Sequence, residues 1–282
     1  MERPARLLDR LQSLYPDASR TALREWLARG RVRVNGEVVR RGDARVAGAD
    51  RVLLGAPPPP PFPSELRLVH AAEDWLVIDK PAGLLTIATE RERERTVYRL
   101  LADWLAAATT PRRLFVVHRL DRETSGLLVF ATSPDAKRGL QRQFAARAVE
   151  RMYVAVVEGR VRDDDGTLRG RLVEDRSLRV RPVSGPGRGK EAITRYRVLA
   201  RRRDATVLEL TLVTGRRGQL RAQLAALGHP IVGDTAYGSR RDPLRRVCLH
   251  ATRLGFADRH HRAQRFESPP PRTFFTRAAP PE

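Results

Sequence analysis

Asp121 is the residue whose surroundings most favour chemistry. It falls in His118-Arg119-Leu120-Asp121-Arg122-Glu123-Thr124-Ser125-Gly126, a polar turn between two apolar runs, Leu114-Phe115-Val116-Val117 and Leu127-Leu128-Val129-Phe130. Such runs read as buried strands, and Gly126 lets the chain turn between them. A carboxylate at a strand end faces a cleft or solvent, where it can attack a carbon or accept a proton. From the residues alone the competing use is an Asx-turn, with the side chain bonding its own backbone.

Few other groups are spaced for chemistry. There is no GxGxxG, no GxxxxGK[ST] and no HExxH, so no nucleotide cofactor is expected. A lone cysteine, Cys248, excludes an intramolecular disulfide and a cysteine-rich zinc site; neither a cofactor nor a metal is expected. A hydrolase working with two carboxylates would need a second placed acid. Asp79, beside Lys80-Pro81, and Asp234, beside Gly233, read as turn residues instead.

The elements that must hold Asp121 are partly visible. Ser133-Pro134-Asp135 is a helix start, a cap followed by Pro at the first position, with Leu140 and Phe144 on its apolar face. Strand-like segments follow around Val154-Val157, Ile193-Val198 and Val207-Leu212. Residues 217–227 read as a helix ended by Gly228, with Leu220, Leu224 and Leu227 inward, and Arg217 and Arg221 one turn apart on another face. Upstream, Leu7, Leu8, Leu11 and Leu14 have helical spacing. Ser19 can cap a second helix carrying Leu23, Trp26 and Leu27, and Asn35-Gly36 marks a hairpin after Val32 and Val34. The run Pro57–Pro61 with Pro63 divides the chain: residues 1–55 form a small domain, 56–64 a stiff linker, 65–268 a larger domain, and 269–282 a basic, Pro-rich tail expected to be poorly ordered.

At 282 residues the chain is long enough for roughly two domains. Its formal charge of +21 calls for a polyanionic partner. Of 54 basic residues three are Lys, leaving 51 Arg, whose planar fork suits phosphate and base edges. Residues 1–55 carry twelve Arg against seven Asp plus Glu, a net +5. No stretch reads as a signal peptide or membrane span; a cytoplasmic monomer without membrane contact is expected.

The segment HRLDRETSGLLVFA resembles the signature motif of the RluA-type pseudouridine synthases. Three further segments resemble that family's motifs in order: Trp75–Leu84 with its Lys80-Pro81-Ala82-Gly83, the Arg151-Met152-Tyr153 element, and Thr214–Arg221 followed by Leu227–Asp234. Ser19-Arg20-x-x-Leu23 with Gly30-x-Val32-x-Val34-Asn35-Gly36 is similar to the alpha-L RNA-binding module. The resemblance implies an α+β fold, a mixed and largely antiparallel sheet with flanking helices, and a small N-terminal RNA-binding domain. It implies isomerisation of uridine in RNA, ribosomal RNA first and transfer RNA second, with Asp121 as the catalytic carboxylate, nucleophile or base, Arg221 as its partner cation and Tyr153 beside the uracil. Arg119 would enter where the target nucleotide leaves its stack. Arg216, Gln219, Arg20, Arg24, Arg31 and Arg33 would contact RNA. His118 is read as structural. The chain departs from the family pattern at Gly218 and Gln223, where His is common, and both changes are expected to bear on RNA choice. The alternative reading is a non-catalytic RNA-binding or ribosome-assembly factor that keeps the fold.

Overall fold

The computed structural model describes residues 4–56, 60–90, 92–108, 110–175, 179–183 and 188–280. The chain divides into two compact units, Met1–Pro61 with Ala106–Pro111, and Phe62–Leu105 with Arg112–Glu282.

In the smaller unit local signals become structure directly. Helix α1 (Leu7–Leu14) buries Leu7 and Leu11, and α2 (Arg20–Ala28) buries Leu23 and Leu27. The Ser19 hydroxyl caps α2 by accepting from the Ala22 N–H at 3.2 Å. Strand β1 (Ala5–Arg6) pairs β4 (Arg45–Val46), while β2 (Val32–Val34) lies between β3 (Glu37–Val38) and β5 (Val52–Leu54). Asn35 and Gly36 both have positive φ, 52° and 91°, as the tight hairpin between β2 and β3 requires. Leu7, Leu11, Leu23, Leu27, Val32 and Val46 form the core. Leu14, the last of the helically spaced leucines, is exposed at the helix end.

In the larger unit, chain order gives β6 (Arg67–Ala71), β7 (Trp75–Lys80), helix α3 (Val97–Ala106), β8 (Phe115–Val116), β9 (Ser125–Ala131), helix α4 (Pro134–Ala145) and β10 (Glu150–Glu158). Then come β11 (Asp165–Glu174), β12 (Val180–Val183), β13 (Lys190–Arg201), β14 (Ala205–Leu212), helix α5 (Gln219–Ala226), β15 (Leu249–Ala257) and β16 (Ala263–Glu267). The strands form one sheet in the order β12-β11-β13-β14-β10-β15-β9-β7-β6, with β16 on β15 and β8 on β9. The pairing is antiparallel except for β15 with β9, which is parallel over His250–Ser125 and Ala251–Gly126. This is the mixed, largely antiparallel sheet expected.

Alternation along the strands sorts side chains to two faces. Trp75, Val77, Leu127 and Val129 pack with Ala136 and Leu140 of α4. Leu76, Ile78, Leu128 and Phe130 pack in a second cluster with Val97 and Leu101 of α3 and Leu220 and Leu224 of α5. All seven residues of β9 are buried, so the strand that begins just after Asp121 is fixed from both sides. The Ser133 hydroxyl caps α4, accepting from the Ala136 N–H at 3.1 Å, with Pro134 at the first position.

Two expectations need correction. The C-terminal segment is not a loose tail: Phe274, Ala278 and Ala279 are fully buried in the main core, and the Arg246 guanidinium lies over the Phe274 ring at 5.1 Å. Two Phe in an otherwise Pro- and Arg-rich stretch supply the apolar anchor. Leu227 is exposed at the end of α5, while Gln219 and Gln223 turn inward instead. Residues 57–59 of the proline run lie outside the described residues.

Candidate active site

Asp121 stands in the turn between β8 and β9, and both its neighbours are pinned. On one side, the Leu120 N–H donates to the Thr86 hydroxyl at 3.2 Å, and that hydroxyl donates to the Leu120 carbonyl at 2.8 Å. On the other, the Arg122 carbonyl accepts from the Gly83 N–H at 2.8 Å and from Lys80 Nζ at 3.1 Å. Lys80 is fully buried and also donates to the carbonyls of Pro81 and Leu84 at 2.8 and 2.7 Å. Burial pulls its pKa down to about 7, against the pull of Glu123 and Asp121. The sequence shows Trp75–Leu84 only as a family-like segment, and nothing in it reveals that its lysine clamps the turn carrying Asp121.

Beyond the turn, Gly126 has φ 114° and lies so close to β15 that a Cβ there would come within 2.5 Å of the Ala251 backbone. A buried chain supports this contact. The Ser125 hydroxyl bonds His250 Nδ1 at 2.8 Å and accepts from Arg246 at 2.7 Å. The His250 ring reaches Ser268, whose hydroxyl donates to Asp79 at 2.6 Å. Asp79 is therefore a strand residue of β7 tied to Ser268 and Arg67, not a free turn carboxylate.

The Asp121 carboxylate makes no hydrogen bond to the described residues, which removes the Asx-turn reading. Its side chain is 20% exposed. Burial raises its pKa, and the Arg221 guanidinium opposes that rise. Arg221 nevertheless belongs first to another acid. Its Nε and Nη2 donate to the two oxygens of Asp234 at 2.7 Å each, Nη1 reaches Glu123 at 3.0 Å, and Asp121 lies 4.0 Å away. Asp234, 1% exposed, was read from sequence as a turn residue; the structure makes it the anchor of Arg221. Burial would lower the Arg221 pKa, but the Asp234 hydrogen bonds hold it above the ordinary guanidinium value.

Asp121 opens into a cavity of about 550 Å³ whose wall includes Arg119, Arg151, Tyr153, Arg216 and Arg221. On its other side a second hollow of about 540 Å³ is lined by Thr86, Arg119, Arg179 and Tyr237. Tyr153, on β10, is buried, and its phenol pKa is pushed up to about 12 by that burial. Arg119 is exposed at the rim. His118 is held neutral, its pKa drawn down to about 3 by burial; its Nε2 accepts from the Val129 N–H at 3.1 Å while the ring stacks on Phe144 at 4.6 Å. That agrees with a structural histidine.

The structure divides the expected RNA contacts. Arg216 stands at the cavity rim with Nε on the Glu191 carbonyl at 3.2 Å. Gln219 is corrected: its amide accepts from Thr214 and the Arg216 N–H and donates to the Ile193 carbonyl and Thr194, so no polar atom is left for RNA. Gln223 likewise joins Thr194, Leu168 and Ala192 inside the sheet, and does not face a ligand. Gly218 does line both hollows, at φ 57°. In the small unit Arg20 and Arg24 line one concavity with Arg6 and Arg40, Arg20 paired to Asp9 at 2.9 Å. Arg31 rests over Trp26 and donates to the Gly55 carbonyl, and Arg33 donates to the Gly36 carbonyl.

Comparison with known proteins now bears on this arrangement. The family described as RNA pseudouridylate synthase matches residues 74–226, and the S4 domain matches residues 5–52. The chain is 34% identical over 243 residues to an uncharacterized RNA pseudouridine synthase of Aquifex aeolicus, covering 81% of this chain and 75% of that one. It is 34% identical over 240 residues to the ribosomal large subunit pseudouridine synthase D of Vibrio cholerae, covering 83% and 74%. The solved structure of human RNA pseudouridylate synthase domain containing 1 superposes with a TM-score of 0.64 at 25% identity, covering 77% of this chain and 88% of that one. With three of the four ordered motifs lining one cavity, the fourth bracing its turn through Lys80, and an S4 domain ahead of them, the chain belongs to the RluA-type RNA pseudouridine synthases, a family of isomerases.

Proposed function

We propose that this chain isomerises uridine to pseudouridine in ribosomal RNA, with Asp121 as the catalytic carboxylate. The observation that carries the reading is the position of Asp121: unbonded, on a pinned turn, opening into an arginine-lined cavity that also holds Tyr153. The reaction breaks the bond from uracil N1 to C1′, turns the base and joins C5 to C1′, with no net redox change. Asp121 serves as the nucleophile at C1′ or as the base that starts elimination from the ribose. Both routes need the ionised carboxylate, which the Arg221 charge favours. Tyr153 offers a flat ring to the flipped base and a phenol for removal of the C5 proton. Arg119 and Arg216, at the rim, suit the backbone around a base drawn from its stack. The S4 unit adds grip through Arg20, Arg24, Arg31 and Arg33, which raises affinity for RNA without reading its sequence.

Ribosomal RNA is the substrate because curated relatives covering most of this chain are named for the large ribosomal subunit. The test is tritium release from RNA carrying label at uracil C5, with wild type and Asp121→Ala side by side on ribosomal and transfer RNA. Release from ribosomal RNA by wild type alone is expected. Release from transfer RNA alone moves the substrate, and binding without release by either protein leaves an RNA-binding factor in place of an enzyme.

A further inference from the structure

Arg151 differs from the other arginines of the cavity. Arg221 holds Asp234 and Glu123, Arg217 pairs with Glu174, Arg147 reaches Glu191 at 3.7 Å, and Arg216 bonds a carbonyl. The Arg151 side chain is buried, unlike that of exposed Arg119, yet it has no hydrogen bond and no ion pair with the described residues, and its Nε is sealed from solvent without a partner. Its contact is the Phe144 ring, 5.6 Å from the guanidinium carbon. The wall is shaped around it: a Cβ at Gly215 would come within 3 Å of Arg151 Nη1. The guanidinium as placed thus occupies the space beside Gly215, whose φ is not in the left-handed region.

A desolvated cation with no counterion destabilises the resting protein unless an anion arrives. RNA offers two: backbone phosphate and the base itself once it is detached. Phosphate stays on the outside of the substrate, where exposed Arg119 and the rim arginines meet it. Arg151 lies deeper, two residues before Tyr153 on the same strand and lining the same cavity. Burial lowers its pKa, and Tyr153 and His118 are ionisable groups beside it.

We propose that Arg151 is a catalytic residue that stabilises the negative charge of the detached uracil. This rests on the isomerase reading above. When the N1–C1′ bond breaks, the bonding pair stays on the base and its charge spreads over N1, O2 and O4. Asp121 meanwhile either forms an ester bond to C1′ or takes a proton from the sugar, leaving a C1′–C2′ double bond. The charge is consumed when the anion's C5 forms the new bond to C1′; in the ester route that bond releases the Asp121 carboxylate, and in the elimination route the sugar takes its proton back. The C5 proton then leaves to a base and N1 takes up a proton, which restores the aromatic ring as neutral pseudouridine. A fixed guanidinium in a water-poor wall favours the charged intermediate over the neutral substrate, because its dipoles need no reorganisation.

The test compares wild type, Arg151→Met and Arg151→Lys in single-turnover cleavage at saturating RNA. Two substrates are used, uridine RNA and the same RNA carrying 5-fluorouridine, whose base is a better leaving group. Expected are an Arg151→Met rate lower by about 100-fold on uridine, in the range for loss of one preorganised donor, and a deficit at least several-fold smaller on 5-fluorouridine. RNA affinity should be nearly unchanged. Full rate at saturation with weakened RNA binding would make Arg151 a phosphate contact and overturn the proposal. Equal slowing on both substrates would reduce it to a packing role and overturn it too. If Arg151→Met does not fold, Arg151→Lys answers by the same substrate ratio. A wild type that cleaves neither substrate fails the isomerase reading itself; an active wild type with indifferent Arg151 variants fails this proposal alone.

Discussion

Arg221 grips Asp234 with two hydrogen bonds of 2.7 Å and stands 4.0 Å from Asp121, so the cation nearest the proposed catalytic carboxylate is aimed by a different acid. Asp234→Asn leaves the shape and removes the charge that orients the guanidinium. The expected result is a fall in kcat of about 10- to 100-fold, as for loss of a partner that orients a catalytic group, with little change in RNA affinity. Single-turnover rates beside filter-binding measurements decide it; an unchanged kcat removes Asp234 from the machinery.

Asp121 itself should weaken the fold it serves. Its pKa is raised by burial, so between the ordinary carboxylate value and the raised one the folded chain holds a proton that the unfolded chain has lost. Stability therefore falls as pH rises through that window and stays lower at neutral pH. Asp121→Asn should be inactive and more stable by about 0.5–1 kcal/mol at pH 7, the common trade at functional positions. Thermal melts at pH 7 and pH 4 should show the gain shrinking at the lower pH.

Lys80 gives the opposite slope. With a folded pKa of about 7 against an ordinary 10.5, the unfolded chain binds the proton that the folded chain releases between those values. Its contribution to stability rises with pH across that window. Lys80→Met should lose about 2–3 kcal/mol, because buried carbonyls lose their donor. The difference in melting temperature between wild type and variant should widen from pH 7 to pH 10; a constant difference would show that Lys80 does not release its proton on folding.

Gly126→Ala tests the parallel seam between β9 and β15. The new Cβ would meet the Ala251 backbone at a φ of 114°, and neither strand can retreat because β9 is buried throughout. A loss of more than about 3 kcal/mol is expected from overpacking combined with backbone strain, read as insoluble expression or a collapsed urea midpoint.

In the S4 unit, Arg24→Ala should reduce RNA affinity uniformly across sequences and lower the slope of log affinity against log salt by about one, as for one lost phosphate contact. Arg31→Ala should change the slope less, because its guanidinium is already engaged by the Gly55 carbonyl and Trp26.

Much of this protein was legible before its structure because it rests on short-range physics. Ser19 and Ser133 cap helices, Asn35-Gly36 turns a hairpin, and the apolar runs around Asp121 are strands, all decided by a few neighbouring residues. The misreadings share a different origin. Asp234 meets Arg221 only because the turn after α5 folds back on that helix, and Gln219 and Gln223 face inward because α5 packs against β11 and β13 with polar partners waiting there. Phe274 is anchored by a core that draws on residues as distant in sequence as Leu66 and as near as Ala251. The clamp made by Lys80 was not legible because one of its three acceptors, the Arg122 carbonyl, lies far along the chain in another loop.

The bracing of Leu120 by Thr86 and of Arg122 by Lys80 and Gly83 has a consequence for how substrate and enzyme share the work of approach. A turn clamped through both peptides flanking Asp121 holds its backbone still, so under the proposed mechanism the reach comes from the RNA, whose nucleotide travels to a stationary acid. The selectivity of such an enzyme then lies in how readily each RNA lets go of its base.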